Sequence, residues 1–148
     1  MKNKKIAIIT VSLLLLLPAC LFAQTAAELV TVLEAPVVTC AQAATFVIGS
    51  ANIDHGGNAF EYAAKNGWIR NASAQTPITL GMLSHLVMKA FNIKGGMMYS
   101  IFHGQRYAYR SMVSQSYIQG ISDPAMTVTG ERFLLLLGKV LSAEGGEQ

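Results

Sequence analysis

Three segments of this chain repeat one phrase, and each time the phrase dictates a helix. They are Val38-Thr39-Cys40-Ala41-Gln42-Ala43, Ile78-Thr79-Leu80-Gly81-Met82-Leu83 and Val128-Thr129-Gly130-Glu131-Arg132-Phe133. In each, a β-branched residue and a threonine lead into an apolar run. Four places after the threonines stand Ala43, Leu83 and Phe133; seven places after, Phe46, Leu86 and Leu136; eight places after, Val47, Val87 and Leu137. Those positions share one face of a helix. Threonine is favoured just ahead of such a face, because its hydroxyl accepts a hydrogen bond from a backbone N–H that the first turn leaves unpaired. The spacing predicts helices over about residues 39–50, 79–92 and 129–142, with Thr39, Thr79 and Thr129 as N-caps; Gln42 three places after Thr39 completes a capping box. Self-similarity at these steps is the mark of repeated helical units.

A shorter, more polar helical stretch precedes each of the three, over about residues 26–33, 60–66 and 105–116. The last two end alike, in Asn66-Gly67-Trp68-Ile69-Arg70 and Gln115-Ser116-Tyr117-Ile118-Gln119. Pro36, Pro77 and Pro124 then stand in the linkers, and proline cannot continue a helix. The expected fold is all-α: three helical hairpins, with repeats over about 26–52, 58–93 and 105–142. Leu134 to Leu137, with Phe133, Val140 and Leu141, is apolar nearly all round, which predicts a helix buried between others. Gly95-Gly96-Met97-Met98 reads as a flexible joint, Asp54-His55-Gly56-Gly57-Asn58 as a turn, and Gly145-Gly146-Glu147-Gln148 as a frayed tail.

Residues 1–23 have the composition of an export signal. Lys2, Lys4 and Lys5 precede an apolar region from Ile6 to Leu17, shorter than the roughly 20 residues that span a bilayer. Leu21-Phe22-Ala23 reads as an ordinary cleavage site and Leu17-Pro18-Ala19-Cys20 as a lipoprotein box. A proline suits a position a few residues ahead of a cut after Ala23 better than one just before a lipidated cysteine, which favours the ordinary cut. Lipidation at Cys20 would instead anchor the chain to a membrane. The domain is expected over residues 24–148, exported to the periplasm or cell envelope.

The leader also accounts for the basic pI. Removing Lys2, Lys4 and Lys5 leaves eight basic residues against eight acidic ones, so the mature chain is neutral and a nucleic-acid partner is not expected. Its charges read as scattered, with no run of one sign. After an ordinary cut Cys40 is the sole cysteine, so no intramolecular disulfide forms and the apolar core must hold the fold. Cys40, beside a cap in an apolar context, reads as a small buried hydrophobe.

Residues with catalytic chemistry are thin. His55, His85 and His103 occur singly, without metal-ligand spacing, and His85 lies among Leu83, Leu86 and Val87 on a helix. No nucleophile elbow, phosphate loop or dinucleotide fingerprint is present. Asp54 to Asn58 lacks the third acidic position and terminal glutamate of a calcium loop. No catalytic residue, metal or cofactor is therefore assigned. Aromatics interleaved with arginine are the candidate ligand or partner surface: Trp68 beside Arg70, and Arg106, Tyr109 and Arg110, with Tyr117. Such a surface suits an acidic sugar, the ring covering its apolar face and the guanidinium pairing with carboxylate or phosphate. Trp68 and Tyr117, which recur at matched repeat positions as core residues do, read first as plugs between hairpins.

Tyr117-Ile118-Gln119-Gly120-Ile121-Ser122-Asp123-Pro124 followed by Val128-Thr129-Gly130-Glu131-Arg132-Phe133 resembles a repeat of the S-layer homology (SLH) domain, in which a short helix, a glycine-isoleucine turn and a loop lead to a threonine-opened helix. Gly67-Trp68-Ile69 with Ile78-Thr79-Leu80-Gly81 resembles it less fully, and Val38-Thr39-Cys40-Ala41-Gln42 keeps the helix opening alone. The resemblance implies three repeats about a pseudo-threefold axis, with the threonine-capped helices as a central bundle. It further implies noncovalent attachment to cell-wall polysaccharide. Where the family places its polymer-binding arginine, directly after threonine, this chain has Cys40, Leu80 and Gly130. The partner expected is a cell-wall polysaccharide or another envelope protein. The alternative is a lipid-anchored helical adaptor in a membrane-associated envelope complex, with membrane contact only through Cys20.

Overall fold

The computed structural model describes residues 26–145. The leader, both readings of its cleavage, the candidate lipidation residue Cys20 and the tail from Gly146 lie outside the described residues. The chain divides into two compact units, Met1–Glu34 and Ala35–Gln148. In the first, residues 26–33 are helical (α1), the Thr31 hydroxyl donates to the Ala27 carbonyl, and the Glu34 N–H to Val30 closes the helix. The second holds α2 (Cys40–Ser50), α3 (Ala59–Lys65), α4 (Leu80–Ala90), α5 (Met97–Phe102), α6 (Gln105–Ser114) and α7 (Gly130–Gly145). The fold is all-α, with seven helices and no strand longer than a single bridge among the described residues.

The residue before each threonine builds the centre of the second unit. Val38, Ile78 and Val128 have no exposed surface, so their backbone groups need partners inside the protein. They find them in one another: the Val38 N–H donates to the Val128 carbonyl (2.8 Å), Val128 to Ile78 (3.1 Å), and Ile78 to Val38 (2.9 Å). The three bonds close a cycle. Extended backbone is required for this, and β-branched residues favour it; Thr39 and Thr79 are likewise extended, at ψ 160°.

The next residues saturate the helix starts. The Cys40 N–H donates to Thr76, Leu80 to Met126 and Gly130 to Ala35, each bond 2.9 Å, so every threonine-led helix takes a carbonyl from a linker of another segment. The threonine hydroxyls accept from the amides three places on, at 3.3 Å from Gln42 and from Met82 and 3.4 Å from Arg132. At Thr39 the Gln42 side chain also returns to the threonine N–H, completing the capping box. Gly81 lets the α3–α4 region and the α6–α7 linker meet: its N–H donates to Pro124 at 2.8 Å, and a Cβ there would stand 3.1 Å from that same oxygen.

Packing corrects two expectations. The apolar stretch of α7 is not buried all round, since Leu135 is 58 % and Leu141 40 % exposed; the helix buried on every face is α4, from Leu80 to Met88. The short Ser84 and Gly81 let neighbours close in on α4, and the Ser84 hydroxyl is satisfied by its own helix, donating to the Leu80 carbonyl at 2.6 Å. The closely packed pairs are α4 with α6, α2 with α3, α4 and α7, and α5 with α6. Thus α4 packs more closely on α6, which follows it, than on α3, which precedes it. An edge-on contact of Phe46 with Phe133, 6.2 Å between ring centres, joins α2 to α7.

Equivalent turns recur. Asn52 and Asn92 follow the caps of α2 and α4 with φ near 53° and 52°; Gly67 and Ser116 follow those of α3 and α6 at 69° and 64°. Behind them Ile69 and Ile118 are the buried plugs, while Trp68 and Tyr117 stay half-buried. The Gly95–Met98 segment is not a flexible joint: Gly96 caps α5, and Gly95 is packed so closely on the buried Tyr99 ring that a Cβ would come within 2.4 Å of it.

Substituting alanine for Thr39, Thr79 or Thr129 removes one acceptor from an otherwise saturated helix start. Each should lower the unfolding free energy by about 1 kcal/mol in urea titration, with Thr39→Ala the largest because it also breaks the capping box. Three unchanged midpoints would show that the caps carry no stability.

Candidate functional site

The second unit contains an open cleft of about 610 Å³ where three segments meet. The α3–α4 linker supplies Arg70 and Asn71, α4 supplies its cap Thr79 and then Gly81, Met82 and His85, and the α5–α6 junction supplies His103, Gly104, Gln105 and Arg106; Pro124 and Ala125 close the remaining side. Two arginines therefore line one cleft, and none of its lining residues carries a carboxylate. The arginine after the second repeat's turn is fixed by its own strand of chain: Arg70 Nε donates to the Gly67 carbonyl at 3.0 Å. Arg106 is exposed on the first turn of α6.

His85 is the buried member of this lining, 1 % exposed. Its Nδ1 lies 3.3 Å from the Tyr99 hydroxyl, and the two rings meet edge-on. Burial lowers its pKa to about 4; Lys89, Arg70 and His103 push the same way by repulsion, while the Gly67 carbonyl opposes them. The imidazole is neutral near pH 7 and contributes no cation. Tyr99 is itself pushed up by burial, and Lys89 Nζ stands 6.0 Å from the centre of its ring.

A second recess, about 460 Å³, is lined by Arg106, Tyr109, Arg110, Asp123 and Pro124. Asp123 distinguishes it from the first, placing a carboxylate among its cations. Tyr109 is tied into the scaffold: its hydroxyl donates to the Ser122 carbonyl at 2.9 Å and lies 2.7 Å from the Ser122 hydroxyl. Of the six residues singled out by aromatic-basic interleaving, the fold brings Arg70 and Arg106 to one cleft and Arg106, Tyr109 and Arg110 to the next. Trp68 and Tyr117 line neither. Trp68 instead packs edge-on against Tyr62, 5.5 Å between ring centres.

The positions directly after the threonines hold no exposed side chain: Cys40 and Leu80 have no accessible surface and Gly130 is buried. Burial also pushes the Cys40 thiol up to about 11, which leaves it unionised near pH 7. At Asp54 to Asn58, the Asp54 carboxylate accepts from the Gly56 N–H and Asn58 caps α3 by accepting from Glu61, so both acceptors serve the turn. His103, Gln105 and Pro124 carried no sequence signal as site residues; they join the cleft because the α5–α6 junction and the α6–α7 linker fold onto the start of α4. Compared with protein-family models, with curated proteins and with solved structures, the chain matches none.

The buried histidine makes the domain acid-sensitive. Its pKa is about 4 when folded and about 6.5 when unfolded, so the unfolded chain binds the extra proton first. Stability from this group is complete above pH 6.5 and falls as pH drops towards 4, by about 2 kcal/mol between pH 6.5 and 5. Urea midpoints across that interval should show this slope, and His85→Leu should flatten it. An equal slope in the variant would place the acid sensitivity elsewhere.

Proposed function

We propose that this chain is an exported, noncatalytic cell-envelope protein with an SLH-like domain, and that its Arg70–Arg106 cleft holds an acidic segment of a cell-wall glycan. The carrying observation is the convergence of two arginines from separate segments on a cleft without a carboxylate. Guanidinium forks pair with carboxylate or phosphate oxygens in two parallel bonds, which suits a charged substituent on a sugar. Thr79 and Gln105 add neutral polar side chains to the same lining.

The SLH-like architecture is our reading of the threonine segments: three capped helices about a pseudo-threefold axis. The hydrogen-bond cycle of Val38, Ile78 and Val128 supports it, because three like residues each donate once and accept once. The matched left-handed residues at Gly67 and Ser116, and at Asn52 and Asn92, support it further. The family's arginine position is closed here, since the residue after each threonine is buried; on this reading the cations have moved to the linker and to α6. Docking onto another envelope protein remains the alternative use of the same surface.

The test is sedimentation of the processed protein with isolated cell-wall sacculi, before and after their acidic polymer is stripped. Binding to intact sacculi above a control protein is expected, with a loss of about tenfold in affinity for Arg106→Gln and more for the Arg70→Gln, Arg106→Gln pair, since each charge-assisted bond is worth about 1.5–3 kcal/mol. Binding that survives stripping, or that the double variant leaves unchanged, would remove the glycan assignment.

A further inference from the structure

Two observations coincide at α5. The first is its outer surface: Met97 is 78 %, Met98 47 %, Ile101 62 % and Phe102 59 % exposed. At 100° per residue these four positions fall within about 140° of one helical face, with Tyr99 on the opposite side. Tyr99 is buried against Gly95 and hydrogen-bonded to His85, so the helix is held from behind while its apolar side points outward. The second is charge. No acidic residue occurs between Glu61 and Asp123, whereas Lys65, Arg70, Lys89, Lys94, Arg106 and Arg110 all do. The balanced total conceals a strongly cationic middle of the chain. Lys89 and Lys94 line a recess directly against Tyr99, Ser100 and His103 of the α5 region, and Arg106 follows α5 on the next helix.

We propose that α5 is a peripheral membrane-insertion element, seating the protein on the surface of an anionic lipid bilayer. An apolar face with Lys89 and Lys94 beside its helix, along the Tyr99–Ser100 edge, suits such a surface, with hydrocarbon beneath and phosphate above. A single six-residue helix presents too little area for a stable protein–protein interface, which takes about 800 Å² from each partner. It is enough to enter the boundary between headgroups and acyl chains, about 5–10 Å deep. No helix among the described residues is long and apolar enough to cross a membrane, so contact through α5 is interfacial. It needs no lipid on Cys20, and it stands apart from the glycan reading because Met97, Met98, Ile101 and Phe102 line neither arginine cleft.

The experiment is flotation of the processed protein with vesicles of phosphatidylcholine alone and with about one-third phosphatidylglycerol. Parent and variants keep the same N-terminus, so any leader or lipid contributes equally. The parent should bind the anionic vesicles at least about tenfold more tightly. Lys89→Gln with Lys94→Gln should weaken that by about thirtyfold, at roughly 1 kcal/mol per surface cation. Met97→Ser with Ile101→Ser should abolish the remainder without altering the helical circular dichroism, since both side chains are exposed. A second readout is Ile101→Cys carrying an environment-sensitive fluorophore, whose emission should shift to the blue on anionic vesicles and be quenched by shallow brominated lipid. Unshifted emission, or equal binding by parent and serine variant, overturns the proposal. So does a parent dimer in sedimentation velocity that the serine variant dissolves, which would make a second copy the occupant of this face.

Discussion

The amides and carbonyls of Val38, Ile78 and Val128 belong to residues with no exposed surface, and they satisfy one another in a closed cycle. A buried N–H left without an acceptor costs about 1–3 kcal/mol. No one of the three segments can shift without orphaning a donor on itself and an acceptor on the next. Each segment leads directly into a helix, so the cycle fixes where α2, α4 and α7 begin and how their starts face one another.

What the cycle fixes, the linkers then use. The amides of Cys40, Leu80 and Gly130 take carbonyls from Thr76, Met126 and Ala35, which draws each linker across the beginning of a different helix. At α4 the result is the arginine cleft: Pro124 sits on Gly81, and the segment after α5 closes the other side. The same arrangement buries the residue after each threonine, and the arginines of the cleft come from the α3–α4 linker and from α6. At that helix start Arg70, on the α3–α4 linker, and Arg106, on α6, line one cleft.

Much of this was legible in the chain. The threonine caps and the starts of α2, α4 and α7 follow from local chemistry: a hydroxyl, an extended β-branched neighbour and a 3.6-residue apolar period. Less legible was anything decided by who packs on whom. The period in Leu134 to Leu137 is as apolar as that of α4, yet α4 is the enclosed helix, because Gly81 and Ser84 let neighbours approach where α7 leaves Leu135 outside. Two adjacent glycines concealed α5, since glycine normally loosens a chain; here Gly95 exists to admit the Tyr99 ring. The cationic middle of the chain was hidden differently. Six bases spaced 4 to 19 residues apart make no run of one sign, and the absence of acids between Glu61 and Asp123 is the signal that marks it.

Native-state hydrogen exchange tests the central claim most directly, by following the Val38, Ile78 and Val128 amides under increasing denaturant. If the cycle holds the second unit together, the three exchange only through global unfolding, with one common free energy that matches the equilibrium value. Exchange of any one of them at a distinctly lower free energy, with the other two still protected, would show that the segments open independently and would contradict the account.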